Sequence, residues 1–230
     1  MCRGGMDAKQ RCILVFEEFF MNDSPIQSFW QLVSDNADHL RSLVDEESVM
    51  AQELLDEVQD QLSDIDLHLT VFCARDADGT GIELVFGCDG YSQSIDTVLF
   101  LVAAAPELNH IKVQAFNPRV EHIPEAIEVG DAVLELDELF FGLRNIGEEL
   151  HLDLYLEDLP ILEDAPETDA ALMFLDAIVG EYDLMTRIHS VNWLDLPEDP
   201  IDHGLKPLIE LRQQFDLLRP KRPALGEALH

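Results

Sequence analysis

The apolar positions of this chain switch between two periods, and each switch marks a predicted element. From Ile26 to Leu43 ("IQSFWQLVSDNADHLRSL") they recur at helical spacing, which predicts an amphipathic helix. Ser24-Pro25 just ahead supplies a cap residue and a proline for the first helical position. A second helix is predicted over residues 45–66, "DEESVMAQELLDEVQDQLSDID". Stepping at 100° per residue puts Leu54, Leu55, Val58, Leu62 and Ile65 on one arc of about 100°. It also brings Glu46, Glu53, Glu57, Asp60 and Asp64 within roughly 60° of one another. That helix can bury one side and present a stripe of carboxylates on the other.

The period then falls to two. "LHLTVFCAR" (67–75) and "GIELVFGCDG" (81–90) flank the turn-rich "DADGT", predicting a β-hairpin. "SQSIDTVLFLVAAAPEL" reads as a helix ending near Pro106, and residues 110–119 as a strand. "AIEVGDAVLELDELFFGL" holds short strands about a Gly-Asp turn, and "ELHLDLYLED" (149–158) alternates strictly. A helix over 167–179, a strand in "TRIHSVNWLDL" and a final helix in "KPLIELRQQFDLL" complete the pattern. The expected fold is α+β, with a mixed, mainly antiparallel sheet and helices packed on it. A single domain is expected over 21–218, between an extension (1–20) and a basic tail (219–230). "VLFLVAAAPE" (98–107) also echoes "LMFLDAIVGE" (172–181), each set among strands, which suggests a duplicated ββαβ unit.

Charge changes the picture most. The 230 residues carry a formal net charge of −33, with 47% hydrophobic content. The apolar fraction is too high for disorder, and the charge far exceeds what solubility requires. Such a field repels phosphates and anionic lipid head groups and attracts cationic surfaces. Neither nucleic acid nor membrane is therefore an expected partner. Residues 45–66 hold nine carboxylates and no Lys or Arg, and residues 120–143 hold seven and none. No apolar run suits a membrane span or a signal peptide, so the expected setting is a reducing cytoplasm.

Candidate chemistry is sparse. Cys2, Cys12, Cys73 and Cys88 form no CxxC pair, and the last two read as buried free thiols. "DADGTG" starts like a calcium loop, but its twelfth position is Gly87 instead of Glu. His68, His151 and His189 fall in strand-like runs without metal-ligand spacing. Phe29-Trp30, Phe140-Phe141 and Trp193 read as core. No nucleophile elbow, phosphate loop or dinucleotide fingerprint is present. No catalytic, metal or cofactor site is expected.

Phe29-Trp30, "ELVFGCDG", "LVAAAPEL", "VQAFNPR", "LDLYLED" and "ALMFLDAIVGEYD" occur in that order. The series resembles an uncharacterised family of bacterial cytosolic proteins over residues 25–215, "AAPEL" and "GEYD" being its more specific phrases. The resemblance implies a bacterial α+β domain and brings no activity, cofactor or site residue with it.

The leading functional expectation is a non-enzymatic acidic binding protein, such as an immunity or inhibitor protein for a basic partner. Acidic inhibitors of that kind use complementary charge to speed association. The candidate docking residues are Glu46, Glu53, Glu57, Asp60 and Asp64. Acids are as dense elsewhere, however, so this stripe alone also reads as a solvated face. The alternatives are a structural or housekeeping domain with a generic acidic surface, salt adaptation or a homodimer through a sheet edge included, and an enzyme whose site has no recognisable motif.

Overall fold

The computed structural model describes residues 24–42, 49–76, 79–147, 149–157 and 165–218. It is an α+β fold with seven helices among those residues and mixed, mostly antiparallel sheets. The sequence reading has one domain over 21–218. Here the chain falls into two compact units, one running to Asp89 with Gln93–Ala115, the other comprising Gly90–Ser92 and the chain from Phe116.

The first unit opens with α1 (Pro25–Asp35), where Ser24 Oγ accepts the Gln27 N–H at 3.3 Å and Pro25 takes the first turn. Its inward side is Ile26, Phe29, Trp30 and Val33. The predicted single helix breaks at Asn36, whose side-chain amide and backbone N–H both donate to the Leu32 carbonyl. A short α2 (Ala37–Ser42) follows, then α3 (Val49–Ile65). Strands β1 (Thr70–Arg75) and β2 (Ile82–Gly87) pair antiparallel from Thr70↔Gly87 to Arg75↔Ile82, as the hairpin signal predicts. Helix α4 (Ile95–Ala103) then carries the chain to β3 (Ile111–Ala115), which lies parallel to β2. Phe29, Trp30 and Phe86 meet edge to face in the core at 5.0–5.7 Å. Trp30 Nε1 also donates to the Leu101 carbonyl at 2.9 Å, which satisfies the indole and fixes α1 against the end of α4.

The second unit begins with the small hairpin of β4 (Ala126–Val129) and β5 (Ala132–Glu135), turned by Gly130-Asp131 with Gly130 at φ 59°. A four-stranded sheet follows in the order β8-β7-β6-β9: β8 (Ser190–Asp195), β7 (Glu149–Leu156), β6 (Phe140–Ile146) and β9 (Lys206–Pro207). Leu150, Leu152, Leu154 and Leu156 of β7 all face inward, as strict alternation requires. They share a core with Phe174, Leu175 and Ile178 of α5 (Pro166–Val179) and with Phe215 of α7 (Leu211–Leu218). Between α5 and β8 stands α6 (Glu181–Arg187), in a stretch whose C-terminal residues the sequence pattern reads as the start of the strand.

Both units contain a hairpin, a helix, and a strand parallel to the hairpin's second strand. The letter-for-letter echo does not extend to burial. Phe100 is 51% exposed and its counterpart Phe174 is fully buried, whereas Val98 is buried and Leu172 is 37% exposed.

Candidate functional site

The acidic stripe lies where the helical period places it. On α3, Leu54, Val58 and Leu62 are buried, while Glu53, Glu57, Asp60 and Asp64 are exposed. Glu46 lies outside the described residues. No Lys or Arg occurs between Arg41 and Arg75, so no neighbour along this stretch relieves the like charges. The second unit has a similar surface: all seven acids between Val120 and Leu143 are exposed.

The cations of that unit behave differently. Two arginines, Arg119 and Arg212, converge on the C-terminal end of α5, where carbonyls lack helical partners and the helix dipole favours positive charge. Arg119 Nε donates to the Val179 carbonyl at 2.6 Å. Arg212 donates to the carbonyls of Ile178, Ala177 and Val120 at 3.1, 2.9 and 2.7 Å. Arg119 also reaches Asp216 at 2.8 Å and stacks over Phe215, and Arg187 sits 2.8 Å from Asp183 with its side chain buried. Glu181 accepts from both the backbone N–H and the side-chain amide of Asn117, at 2.9 and 3.0 Å. In this way "FNPR" and "GEYD", separate phrases in the sequence, form one internal clasp.

A second polar group occupies the outward face of the four-stranded sheet. Asp153 is 6% exposed although it points away from the leucine core. Arg144 grips its two carboxylate oxygens, and Asn192 donates to Oδ1 at 2.7 Å. The Arg144 bonds, seconded by Asn192, hold the Asp153 carboxyl below its ordinary range, and partial burial opposes them only in part. Beside this group, His151 Nδ1 lies 2.8 Å from Ser190 Oγ. The structure places His151 in β7, His189 just before β8 and His68 in the turn before β1.

In the first unit, a cavity of about 340 Å³ is lined by Asp38, Arg41, Arg75, Gly79, Thr80, Gly81 and Ile82. Asp38 pairs with Arg41. Asp76, which begins the supposed calcium loop, accepts the Thr80 N–H at 2.8 Å. Backbone N–H groups of Gly81, Thr80 and Gly79 hold its carboxyl below its ordinary value. Its oxygens thus serve their own turn. Neither Cys73 nor the buried Cys88 is in a disulfide, and burial pushes the Cys73 thiol up.

Sequence reasoning did not single out Arg119, Glu181, Arg212 or Asp153. Alternation in "ELHLDLYLED" did reveal the outward row of Glu149, His151, Asp153 and Tyr155, but an outward position does not disclose that Asp153 is covered. Among the described residues, no helix is long and apolar enough to cross a membrane. No protein-family model, curated protein or solved structure matches the chain, so the resemblance carried by the "AAPEL" and "GEYD" phrases gains no support from them.

Proposed function

We propose that this is a non-enzymatic acidic binding protein, of the immunity or inhibitor type, acting on a basic protein in a bacterial cytoplasm. The observation that carries the reading is the opposed placement of the two charge types. Arg119, Arg187 and Arg212 are engaged within the second unit, while carboxylates such as Glu53, Glu57, Asp60 and Asp64 stand in solvent. The outward field is then more one-sidedly acidic than residue counts imply, and such a field speeds encounter with a cationic surface. The same field disfavours nucleic acid and anionic lipid. The test is co-purification from the native host at low and at high salt. A basic protein retained at low salt, released by salt, and bound again when both are purified supports the reading; its absence removes the support.

A second reading is a structural domain with a generic acidic surface, suited to a salty cytoplasm. It is favoured by the even spread of exposed acids over both units, because the α3 stripe is no denser than residues 120–143. Under that reading the melting temperature climbs into molar salt and no basic partner is retained.

A further inference from the structure

Two arginines from separate elements meet at one cavity of the first unit. Arg41 comes from the last turn of α2 and Arg75 from the end of β1, and both line the space of about 340 Å³ beside Asp38 and Thr80. In a chain with 14 Lys and Arg against 47 Asp and Glu, that meeting is a local reversal of the surface field. Arg41 is held only in part. A terminal nitrogen of its guanidinium donates to Asp38, whose side chain is 90% exposed, and an ion pair so open to water is weak. Its Nε is shut off from solvent without an acceptor. Buried donors in that state are rare, and each calls for a cause. Asp76 does not serve it, because that carboxylate accepts backbone N–H groups of its own turn.

We propose that this cavity binds a small ligand by an oxyanion group, a carboxylate or a phosphate, held by Arg41 and Arg75. A guanidinium offers N–H groups in a planar fork that matches two oxygens of either group. Because the Asp38 contact lies at the surface, an incoming oxyanion can displace it, and a turn of the Arg41 guanidinium then gives Nε its acceptor. Thr80 supplies a further donor. Its hydroxyl stands 3.4 Å from Asp76 Oδ2, longer than a settled O–H···O bond, and can turn toward the ligand. The volume lies at the small end of the range for ligand sites, about 300–1,000 Å³, which suits a compact molecule. The net charge of −33 works against polyanions, so the ligand carries one or two negative charges. The inference does not depend on the basic partner, since a small anion and a cationic protein surface are recognised by opposite charges.

The test is titration of the full chain with inorganic phosphate and, in a separate arm, with succinate, at constant ionic strength, followed by the Nε–H resonances of Arg41 and Arg75. The two resonances should shift together and saturate in one arm or in both, with a dissociation constant in the millimolar range or below. Saturation by phosphate alone identifies a phosphate ligand and by succinate alone a carboxylate, and either supports the proposal. Arg41→Gln and Arg75→Gln should each weaken binding by roughly 10-fold or more, with circular dichroism unchanged. Lys112→Gln, which removes an exposed cation of the same unit, should leave binding as it is. Because Arg75 is exposed, its variant keeps the test readable should Arg41→Gln fail to fold. No saturation in either arm, binding at native strength in Arg75→Gln, or an equal loss in Lys112→Gln would overturn the proposal.

Discussion

The Glu181 carboxylate receives two hydrogen bonds at one oxygen from Asn117, while the Glu181 backbone N–H donates in return to the Asn117 carbonyl at 3.0 Å. With Glu181 only 6% exposed, this reciprocal contact joins the segment after β3 to the start of α6. Glu181→Ala leaves the Asn117 donors without that acceptor and should cost about 2–3 kcal/mol. Glu181→Gln keeps an acceptor and should cost about 1 kcal/mol. Urea unfolding of the two variants checks this; equal losses would mean that the contact is not held by the acceptor oxygen.

Gly81 should be intolerant of any side chain. A Cβ there would lie 2.2 Å from the His110 carbonyl oxygen, which is backbone and itself accepts the Ile82 N–H at 2.9 Å. Gly81→Ala should therefore destabilise by at least about 1–3 kcal/mol through forced displacement of β3 from β2. An unchanged denaturation midpoint would contradict the close approach.

Asp153 should contribute to acid sensitivity. Its carboxyl is held below its ordinary value in the folded chain, first by the hydrogen bonds from Arg144. A depressed folded value contributes stability that is present above the unfolded value, near pH 4, and lost as pH falls through the folded one. Asp153→Asn should flatten the fall in stability below about pH 4 relative to the native chain. Parallel stability curves from neutral pH to pH 3 would rule this out.

Relieving the α3 stripe should not harm the fold. Glu53, Glu57 and Asp60 are exposed, and Glu53 and Glu57 stand one turn apart with like charge. The triple change to Gln, Gln and Asn should leave stability unchanged or raise it by a few tenths of a kcal/mol. A substantial loss would show that these acids are structural.

Local signals were the legible part of the fold. Ser24-Pro25 started α1, Gly130-Asp131 turned a hairpin, and the leucine alternation of β7 gave its inward face. What sequence left hidden depends on distant partners. Asn36 breaks a helix whose periodicity runs on through it, because its own amide reaches back to Leu32. The parallel placement of β3 and β8 is set by where a crossover helix lands, which no local period records. The destination of the arginines was equally hidden, since Arg119 and Val179 are sixty residues apart. The acidic stripe could be read because exposure along a helix follows its period. His151 and Ser190 could not, because their contact exists only once β7 and β8 pair.

The central claim, that the outward carboxylates steer a basic partner, is tested most directly by the association rate of that partner across ionic strength. The native chain and the Glu53→Gln/Glu57→Gln/Asp60→Asn variant would be measured side by side. The account predicts a rate that falls steeply as the Debye length shrinks from about 30 Å at 0.01 M salt to about 10 Å at 0.1 M. It also predicts slower association of the variant at low salt, with the two rates converging at high salt. An association rate independent of salt would contradict it.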